Sequence, residues 1–333
     1  MPSSQVQPKL IIHGGSGPSL KGKGGLVAVR QSLHQVIAKV YPLLLAGASA
    51  EAAVVEGCHL LEDAPRFNAG TGSVLQSDGQ VRMSASLMKG DSQSFSGTIN
   101  VSRVKHPIDL AQFLQTSDDR VLSDVGSADL LRELQIPPYN PLTDLRLQEW
   151  MQERKDNFSK TMAGTVAESE LIETREGETS GIKNPEIETT EAGRGTIGVV
   201  ALDREGKLAV GTSTGGKGFE RVGRVSDSAM PAGNYATAAA AVSCTGIGED
   251  IIDECAAARI VVRVTDGLSL AAAFERTFAE AKQNQRDFGA IGLDATGKIA
   301  WGKTCEVLLA AYHDGNQIGD TLEWTGSDLT GAL

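Results

Sequence analysis

One tract of the chain is too polar to contribute to a folded core. The 35 residues from Thr161 to Gly195 include no aromatic side chain, but eight acidic residues, three basic residues and five glycines. A segment of this composition buries too little apolar surface to offset the entropy lost on ordering. We therefore expect a flexible acidic linker at about residues 157–195, with the folded protein built from the segments on either side of it.

The linker ends at Gly195-Thr196-Ile197-Gly198, where an apolar alternating pattern begins. Glycine adopts positive φ at little cost, so Gly195 would let the peptide bend until the Thr196 hydroxyl can attack the preceding carbonyl. Cleavage would give Thr196 a free α-amine with a pKa near ~8, which can take the proton of its own hydroxyl. Glycine and threonine are also common where strands begin, so the junction alone indicates either self-cleavage or a plain strand start.

The composition favours a folded protein that acts on small molecules. Apolar residues make up 41% of the 333 residues, which is enough for a substantial core. The net charge of -11 disfavours nucleic acid or an anionic membrane as a partner. The four cysteines lack zinc or disulfide spacing, and Met1 to Lys9 lacks the apolar stretch of a signal peptide. We expect a cytoplasmic protein with a small-molecule or dipeptide substrate, no membrane span and no cofactor for catalysis.

The periodicity of apolar residues predicts mixed strands and helices before the linker and two hairpins after it. The elements expected before it are a strand at 9–13, helices at 27–45 and 49–61, a hairpin within 73–86 and a helix at 139–156. After it, Asp-x-x-Gly-Lys at 203–207 recurs at 294–298, and each copy forms the turn of an expected hairpin. Helical patterns at 249–266 and 269–283 lie between them. Antiparallel sheets covered by helices fit this order, which predicts the α+β class.

Two glycine-rich segments carry polar groups that suit an amino-acid substrate. Arg224 and Asp227 are three residues apart, and together a guanidinium and a carboxylate can bind the α-carboxylate and α-ammonium of an amino acid. Thr245 and Gly246 place a hydroxyl beside an unhindered backbone N–H, and two such donors can stabilise an oxyanion. A surface ion pair and a glycine turn with a helix cap would explain the same residues, and the local sequence leaves both interpretations open.

A competing hydrolase mechanism is suggested around Ser213. The segment Gly-Thr-Ser-Thr-Gly has the GxSxG form of a nucleophile elbow, with His313 and either Asp253 or Asp294 as further triad members. A nucleophile elbow opens a helix, however, whereas the residues at 215–218 predict a loop. A single-chain protein that binds an amino acid without cleaving it is a third possibility.

Six short motifs occur in order along most of the chain. They are Ile-His-Gly-Gly at 12–15, Phe-Asn-Ala-Gly-x-Gly-Ser-Val at 67–74, Gly-Thr-Ile-Gly at 195–198, Ser-Thr-Gly-Gly at 213–216, Gly-Arg-Val-x-Asp-Ser at 223–228 and Cys-Thr-Gly-x-Gly-Glu at 244–249. Together they resemble the plant-type asparaginase and isoaspartyl peptidase family of N-terminal nucleophile hydrolases. The resemblance implies a four-layer αββα sandwich and a precursor that cleaves itself between Gly195 and Thr196.

The resemblance also assigns roles to the matching residues. These are Thr196 as nucleophile with its own α-amine as base, Thr214 and Asn68 as the residues that orient it, Arg224 and Asp227 as the groups that bind the substrate head, and Thr245 with the N–H of Gly246 as the oxyanion hole. It implies an α subunit, 1–195, and a β subunit, 196–333, which form one composite domain and usually a dimer of such pairs. A structural sodium ion is expected on the backbone carbonyls of Leu61, Glu62, Ala64, Phe67, Ala69 and Thr71.

The implied reaction is hydrolysis of β-aspartyl dipeptides and of L-asparagine, with release of L-aspartate. A glycosylasparaginase of the same superfamily would use the same catalytic set, but it normally has a secretion signal and disulfides, which this sequence does not show. The chain departs from the family pattern at Ser84, at Ser226 and over 217–221. We expect these changes to affect the leaving group and to favour isoaspartyl dipeptides over free asparagine, with Phe219, Glu220 and Arg221 near the mouth of the pocket.

Overall fold

The computed structural model describes residues 6–17, 24–155, 158, 195–324 and 328–333. Most of the predicted linker, about residues 157–195, lies outside these ranges, whereas the junction residues Gly195 and Thr196 lie inside them. None of the helices in the described ranges combines the length and the apolar character needed to cross a bilayer.

The larger of two sheets has eight strands. In sheet order they are β12 (Ile318–Asp320), β11 (Val307–His313), β1 (Lys9–Gly17), β5 (Ile197–Leu202), β6 (Leu208–Thr214), β2 (Met83–Lys89), β3 (Ser94–Val101) and β4 (Val121–Ser123). Neighbouring strands are antiparallel, apart from the short edge strand β4, which runs parallel to β3. The strand that follows the Gly195-Thr196 junction is therefore held on both sides near the middle of a sheet.

The smaller sheet has five antiparallel strands. They are β13 (Thr330–Ala332), β10 (Ile299–Lys303), β9 (Phe288–Asp294), β8 (Ala240–Gly246) and β7 (Asn234–Ala236). Both hairpins predicted from the repeated Asp-x-x-Gly-Lys segment are confirmed, as β5 with β6 and β9 with β10. In each turn the aspartate Oδ1 accepts backbone N–H groups two and four residues later, at 2.9 and 3.0 Å, from Asp203 in one case and Asp294 in the other. The shared side chain thus explains the shared turn.

Helices cover the outer face of each sheet, with one exception. The helices are α1 (Gly25–Leu45), α2 (Ala50–Glu62), α3 (Pro107–Leu114), α4 (Asp124–Glu133), α5 (Asp144–Lys155), α6 (Gly248–Glu254), α7 (Ala256–Thr265) and α8 (Leu270–Gln283), with a 3-10 turn at Asp227–Ala229. The exception is α5, which packs on the segment 72–76 through Arg146 and Trp150. The predicted cap of α2 is confirmed, since Ser49 Oγ accepts the N–H of Ala52 at 3.2 Å.

Apolar clusters fill the spaces between four layers formed by the described residues. Val54 of α2 and Val199 of β5 belong to the core between the first helices and the larger sheet. The next residue along β5, Val200, points to the opposite face and packs with Ile291 of β9 in the core between the sheets. Phe274 of α8 belongs to the core on the outer face of the smaller sheet. The expected αββα sandwich is therefore confirmed.

Some local predictions were wrong. The turn expected at 77–80 is present, closed by Gln76 N–H donating to Gln80 O at 2.9 Å, but the residues before it do not continue as a strand paired with β2. Their backbone bonds instead to 219–220, where Phe219 N–H donates to Leu75 O at 2.7 Å and Ser77 N–H donates to Glu220 O at 2.9 Å. The helix expected at 249–266 is divided at Cys255, whose φ of 46° interrupts it. The helix expected from residue 139 begins at Asp144, in keeping with the proline at 141, which disfavours helical geometry just before it.

Candidate active site

Thr196 lies at the start of β5, beside the C-terminal end of β6. The register pairs Ile197 with Ser213, so Thr196 lies across from Thr214. The Thr196 hydroxyl donates a hydrogen bond to the Thr214 hydroxyl at 3.2 Å. Antiparallel pairing fixes this contact, because neighbouring strands hold the Cα atoms of directly opposed residues about 4.5 to 5.5 Å apart. The two threonines predicted to act together are thus in direct contact.

Asn68 connects the junction to the loop after β6. Its backbone N–H donates to the carbonyl oxygen of Gly195 at 3.2 Å, and its own carbonyl accepts the N–H of Gly215 at 2.9 Å. Its side-chain Nδ2 donates to the carbonyl of Gly216 at 2.7 Å. A Cβ on Gly215 would lie 2.5 Å from Asn68 Oδ1, so only glycine fits there. Asn68 therefore fixes both the carbonyl before Thr196 and the loop that leads away from Thr214.

His13 reaches the same junction from β1. It is fully buried, and its Nδ1 lies 3.0 Å from the carbonyl oxygen of Thr196. Because a carbonyl only accepts, Nδ1 carries a proton, and in the neutral ring Nε2 then accepts from the Ser243 hydroxyl at 2.8 Å. A Cβ on Gly198 would lie 2.1 Å from Ser243 Oγ and 2.3 Å from His13 Nε2. The sequence motif included His13, but the family resemblance assigned it no role; a polar ring within a buried strand was the available signal.

Arg224 and Asp227 converge on Gly248, at the start of α6. A Cβ on Gly248 would lie 2.6 Å from Arg224 Nη2 and 2.9 Å from Asp227 Oδ1. Arg224 is not simply paired with Asp227, since its Nε and Nη2 each bond to a carboxylate oxygen of Glu249 at 3.0 Å. Among the described residues, none donates a hydrogen bond to Asp227 Oδ2, although Asp227 is only 3% exposed. A buried acceptor without a donor is costly unless a ligand supplies one.

Burial raises the pKa of Asp227 from its ordinary value of 3.8 to about 7. The positive charge of Arg224 and a backbone hydrogen bond oppose this effect, and the negative charge of Glu249 adds to it. The cost of removing a carboxylate from water exceeds the attraction of the nearby guanidinium. The carboxyl of Asp227 thus changes charge near neutral pH, and a cationic ligand would favour its ionised form.

Thr245 and Gly246 end β8 as it reaches the same region. Thr245 is fully buried, and its Oγ1 has no hydrogen-bond partner among the described residues. Gly246 has a φ of 143°, and a Cβ on it would lie 2.6 Å from the Cα of Phe288. Thr245 therefore offers a buried hydroxyl that is free to donate, beside a residue that must be glycine.

A single cleft joins these groups, and we call it the Thr196 cleft. It is lined by Gly195, Thr196, Thr214, Gly216, Lys217, Arg224, Ser226, Asp227, Gly246, Ile247, Gly248 and Glu249. The sequence-predicted set is thus brought together, with Asn68 bonded to Gly195 and Gly216 of the lining and Thr245 adjoining Gly246. Lys217 and Glu249 were not predicted to line it. The three residues expected at its mouth, Phe219, Glu220 and Arg221, are not among the lining residues.

Comparison with known proteins places the chain in a family. A family model described as asparaginase matches residues 6–323. This chain belongs to the asparaginase family. The family resemblance seen in the six motifs is therefore confirmed over almost the whole length of the protein.

Members of the asparaginase family align with nearly the full chain. A protein of Nostoc sp. named isoaspartyl peptidase/L-asparaginase is 70% identical over 330 residues, which cover 99% of each chain. A Synechocystis sp. protein of the same name is 64% identical over 326 residues, covering 98% of this chain and 94% of the relative. A plant-type L-asparaginase of Pyrococcus horikoshii is 33% identical over 311 residues, covering 91% of this chain and 95% of the relative.

The structure of this asparaginase-family chain does not assemble the alternative triad around Ser213. Thr212 and Thr214 direct their hydroxyls to Ser243 and Thr196, so strand alternation turns Ser213 to the opposite, helix-covered face. His313 lies on β11, three strand positions from β6, or about 14 Å at the usual strand spacing. A nucleophile and its base must be within hydrogen-bond reach, so these residues cannot form a triad.

The loop after α2 suits the cation that the asparaginase family resemblance implied. The carbonyls of Phe67, Ala69 and Thr71 accept no hydrogen bond from any described residue. Those of Leu61, Glu62 and Ala64 each accept a backbone N–H, from Ala64, Thr71 and Phe67 respectively, at 2.8 to 3.2 Å. A carbonyl with one hydrogen bond keeps a lone pair, and hard cations prefer such oxygen ligands. The carbonyls of Phe67, Ala69 and Thr71, above all, are therefore open to a hard cation such as the sodium ion that the resemblance implied.

Proposed function

We propose that this chain is a self-cleaving hydrolase of β-aspartyl dipeptides and L-asparagine, with Thr196 as its N-terminal nucleophile. The observation that carries the proposal is the Thr196 cleft, in which a hydroxyl directly after Gly195 faces a guanidinium and a buried carboxylate. The names of the Nostoc and Synechocystis relatives support the same activity. The product would be L-aspartate.

Maturation would use the contacts at the junction. Thr196 Oγ attacks the carbonyl carbon of Gly195. The peptide bond between Gly195 and Thr196 then breaks, and the Thr196 nitrogen takes up the proton from the hydroxyl. Water then hydrolyses the resulting ester, which leaves a Gly195 carboxylate and a free Thr196 α-amine. The backbone N–H of Asn68, 3.2 Å from the Gly195 oxygen, is placed to stabilise negative charge on that oxygen as it develops.

Substrate hydrolysis would use the same hydroxyl with the new α-amine as base. Thr196 Oγ attacks the β-carbonyl of the aspartyl group, and the oxyanion takes hydrogen bonds from Thr245 Oγ1 and the Gly246 N–H. Collapse of this intermediate expels ammonia or an amino acid, which carries away the proton that the α-amine had taken. Water then releases aspartate from the ester. Thr214 would hold the nucleophile's hydroxyl in position throughout.

Binding of the substrate head would supply the missing partner of the buried Asp227 Oδ2 and would engage the Arg224 guanidinium. The α-ammonium would donate to Asp227, and the α-carboxylate would accept from Arg224, displacing or sharing its contact with Glu249. Holding both groups fixes the β-carbonyl relative to Thr196. We also propose that isoaspartyl dipeptides are preferred to free L-asparagine, since the cleft carries a further cation, Lys217.

Four further properties are part of the proposal. They are division into an α subunit, 1–195, and a β subunit, 196–333, association of two such pairs into a dimer, a structural sodium ion on the 61–71 carbonyls, and a cytoplasmic location. The sodium ion would hold the loop that carries Asn68 and would take no part in the reaction.

Intact-mass analysis of the purified protein tests the proposal. We expect two fragments, one ending at Gly195 and one beginning at Thr196, with hydrolysis of β-aspartyl dipeptides. Thr196→Ala should remain one chain, whereas Thr196→Ser, which keeps a hydroxyl, should still cleave. Arg224→Ala separates cleavage from substrate binding, because it should mature normally but lose activity. A fully active protein that stays one chain would refute the mechanism.

A further inference from the structure

Lys217 is a cation of the Thr196 cleft that the reaction described above does not use. It lines the cleft and is exposed, and its ammonium makes no ion pair or hydrogen bond with any described residue. Arg224, by contrast, is bonded twice to Glu249. The cleft therefore holds one engaged cation and one that is available to a ligand.

The backbone that carries Lys217 is fixed relative to the nucleophile. Gly216 N–H donates to Thr214 Oγ1 at 3.2 Å, and this oxygen also accepts from Thr196. The Lys217 N–H donates to Glu220 Oε1 at 3.3 Å, and Glu220 is itself buried. Two consecutive peptide groups are thus anchored, so the Lys217 side chain leaves the backbone at a defined point on the cleft wall.

The positive charge of Lys217 acts on another residue that lines the cleft, Glu249. Burial acts to raise the pKa of Glu249, but the hydrogen bond and charge of Arg224, with a smaller contribution from Lys217, bring it below its ordinary value. Glu249 is the carboxylate that holds Arg224, so Lys217 lies close enough to act on the groups that would bind substrate. Its own loop neighbour Arg221 does not line the cleft.

The charges of the two substrate types differ by one group. Both carry the α-ammonium and α-carboxylate of the aspartyl part, for which Asp227 and Arg224 are available. A β-aspartyl dipeptide has in addition the free carboxylate of its leaving amino acid, which L-asparagine lacks. Resting on the function proposed above, we propose that Lys217 binds this leaving-group carboxylate and thereby gives the enzyme its preference for β-aspartyl dipeptides over L-asparagine.

Three substrates separate this role from a general effect. They are β-aspartyl-leucine, its C-terminal amide and L-asparagine, of which only the first carries the leaving-group carboxylate. In Lys217→Met we expect kcat/KM for β-aspartyl-leucine to fall about five-fold, through KM, because an exposed charge pair is worth up to about 1 kcal/mol. The other two substrates should change by less than about two-fold on the same grounds. The loss should shrink in high salt, which screens exposed charges.

Arg221→Met is the matched control, because it removes one positive charge from the same loop outside the cleft lining. It should not alter the ratio between the acid and the amide substrate. The inference is overturned if Lys217→Met changes all three substrates equally, if it changes none, or if Arg221→Met has the same selective effect. Those outcomes leave the proposed function intact as long as the wild-type protein is cleaved before Thr196 and hydrolyses the substrates. A wild-type protein that stays uncut and inactive would instead refute the proposed function.

Discussion

Replacing Asp227 with asparagine should stabilise the folded protein at neutral and alkaline pH. Asp227 is buried, and its pKa of about 7 in the folded state lies well above its ordinary value of 3.8. The folded state thus binds this proton more tightly than the unfolded state does. The stability due to this proton is present at acid pH and is lost as the pH rises from about 4 to about 7. Asparagine cannot ionise, so it avoids that loss.

The size of the effect follows from the pKa difference. At about 1.4 kcal/mol per pKa unit, a shift of about three units corresponds to about 4 kcal/mol at pH 8. At pH 5, where the unfolded state is ionised and the folded state is not, the same relation gives about 1.5 kcal/mol. The hydrogen bonding of the new amide does not depend on pH, so it cancels between the two conditions, and the gain of about 2.5 kcal/mol between pH 5 and pH 8 is the quantity to measure.

Urea unfolding at the two pH values measures this gain. Both proteins should carry Thr196→Ala, which keeps a single chain and avoids separation of cleaved subunits during unfolding. Asp78→Asn is a control of opposite sign, because a hydrogen bond from Arg82 lowers the pKa of Asp78, against a smaller opposing effect of burial. Its destabilising effect should therefore be equal at pH 5 and pH 8. An Asp227→Asn effect that is equal at both pH values, or smaller at pH 8, would refute the reasoning.

Substitutions at three other positions probe the site. Gly248→Ala should raise KM about ten-fold or more, since the new Cβ would lie within 3 Å of both Arg224 and Asp227. Circular dichroism should show that the variant is still folded. An unchanged KM would mean that these groups do not position substrate. Ser213→Ala should keep kcat/KM within about two-fold, whereas loss of activity together with normal cleavage would restore the serine mechanism. His13→Ala should lower the free energy of unfolding by about 3 kcal/mol, because it removes a buried donor to the Thr196 carbonyl and one of the two hydrogen-bond partners of the Ser243 hydroxyl, the other being Thr212. His13→Asn, which can keep a donor near the carbonyl, should recover part of this, and equal losses would count against that contact.

The local sequence was sufficient to predict features that depend on nearby residues. The two Asp-x-x-Gly-Lys turns are confirmed because Asp203 and Asp294 bond to backbone N–H groups within their own turns. The cap of α2 at Ser49 is confirmed for the same reason. Of the hairpin expected within 73–86, the turn at 77–80 formed, but the pairing of 73–76 with the next strand was wrong, because strand partners are chosen by burial across the whole sheet. In the larger sheet, β2 lies between β3 and β6. This position buries β2 more completely than pairing with the segment just before it would.

The sequence by itself determined the family, the order of elements and the residues that the resemblance marked for the site. Only the tertiary structure decided that Arg224 bonds to Glu249, that His13 reaches the Thr196 carbonyl, and that Lys217, rather than Arg221, lines the cleft. Motifs and turns depend on residues close together in the chain, whose geometry is set by the backbone. The cleft joins segments far apart in sequence, and their separations and directions are fixed only when two sheets pack face to face.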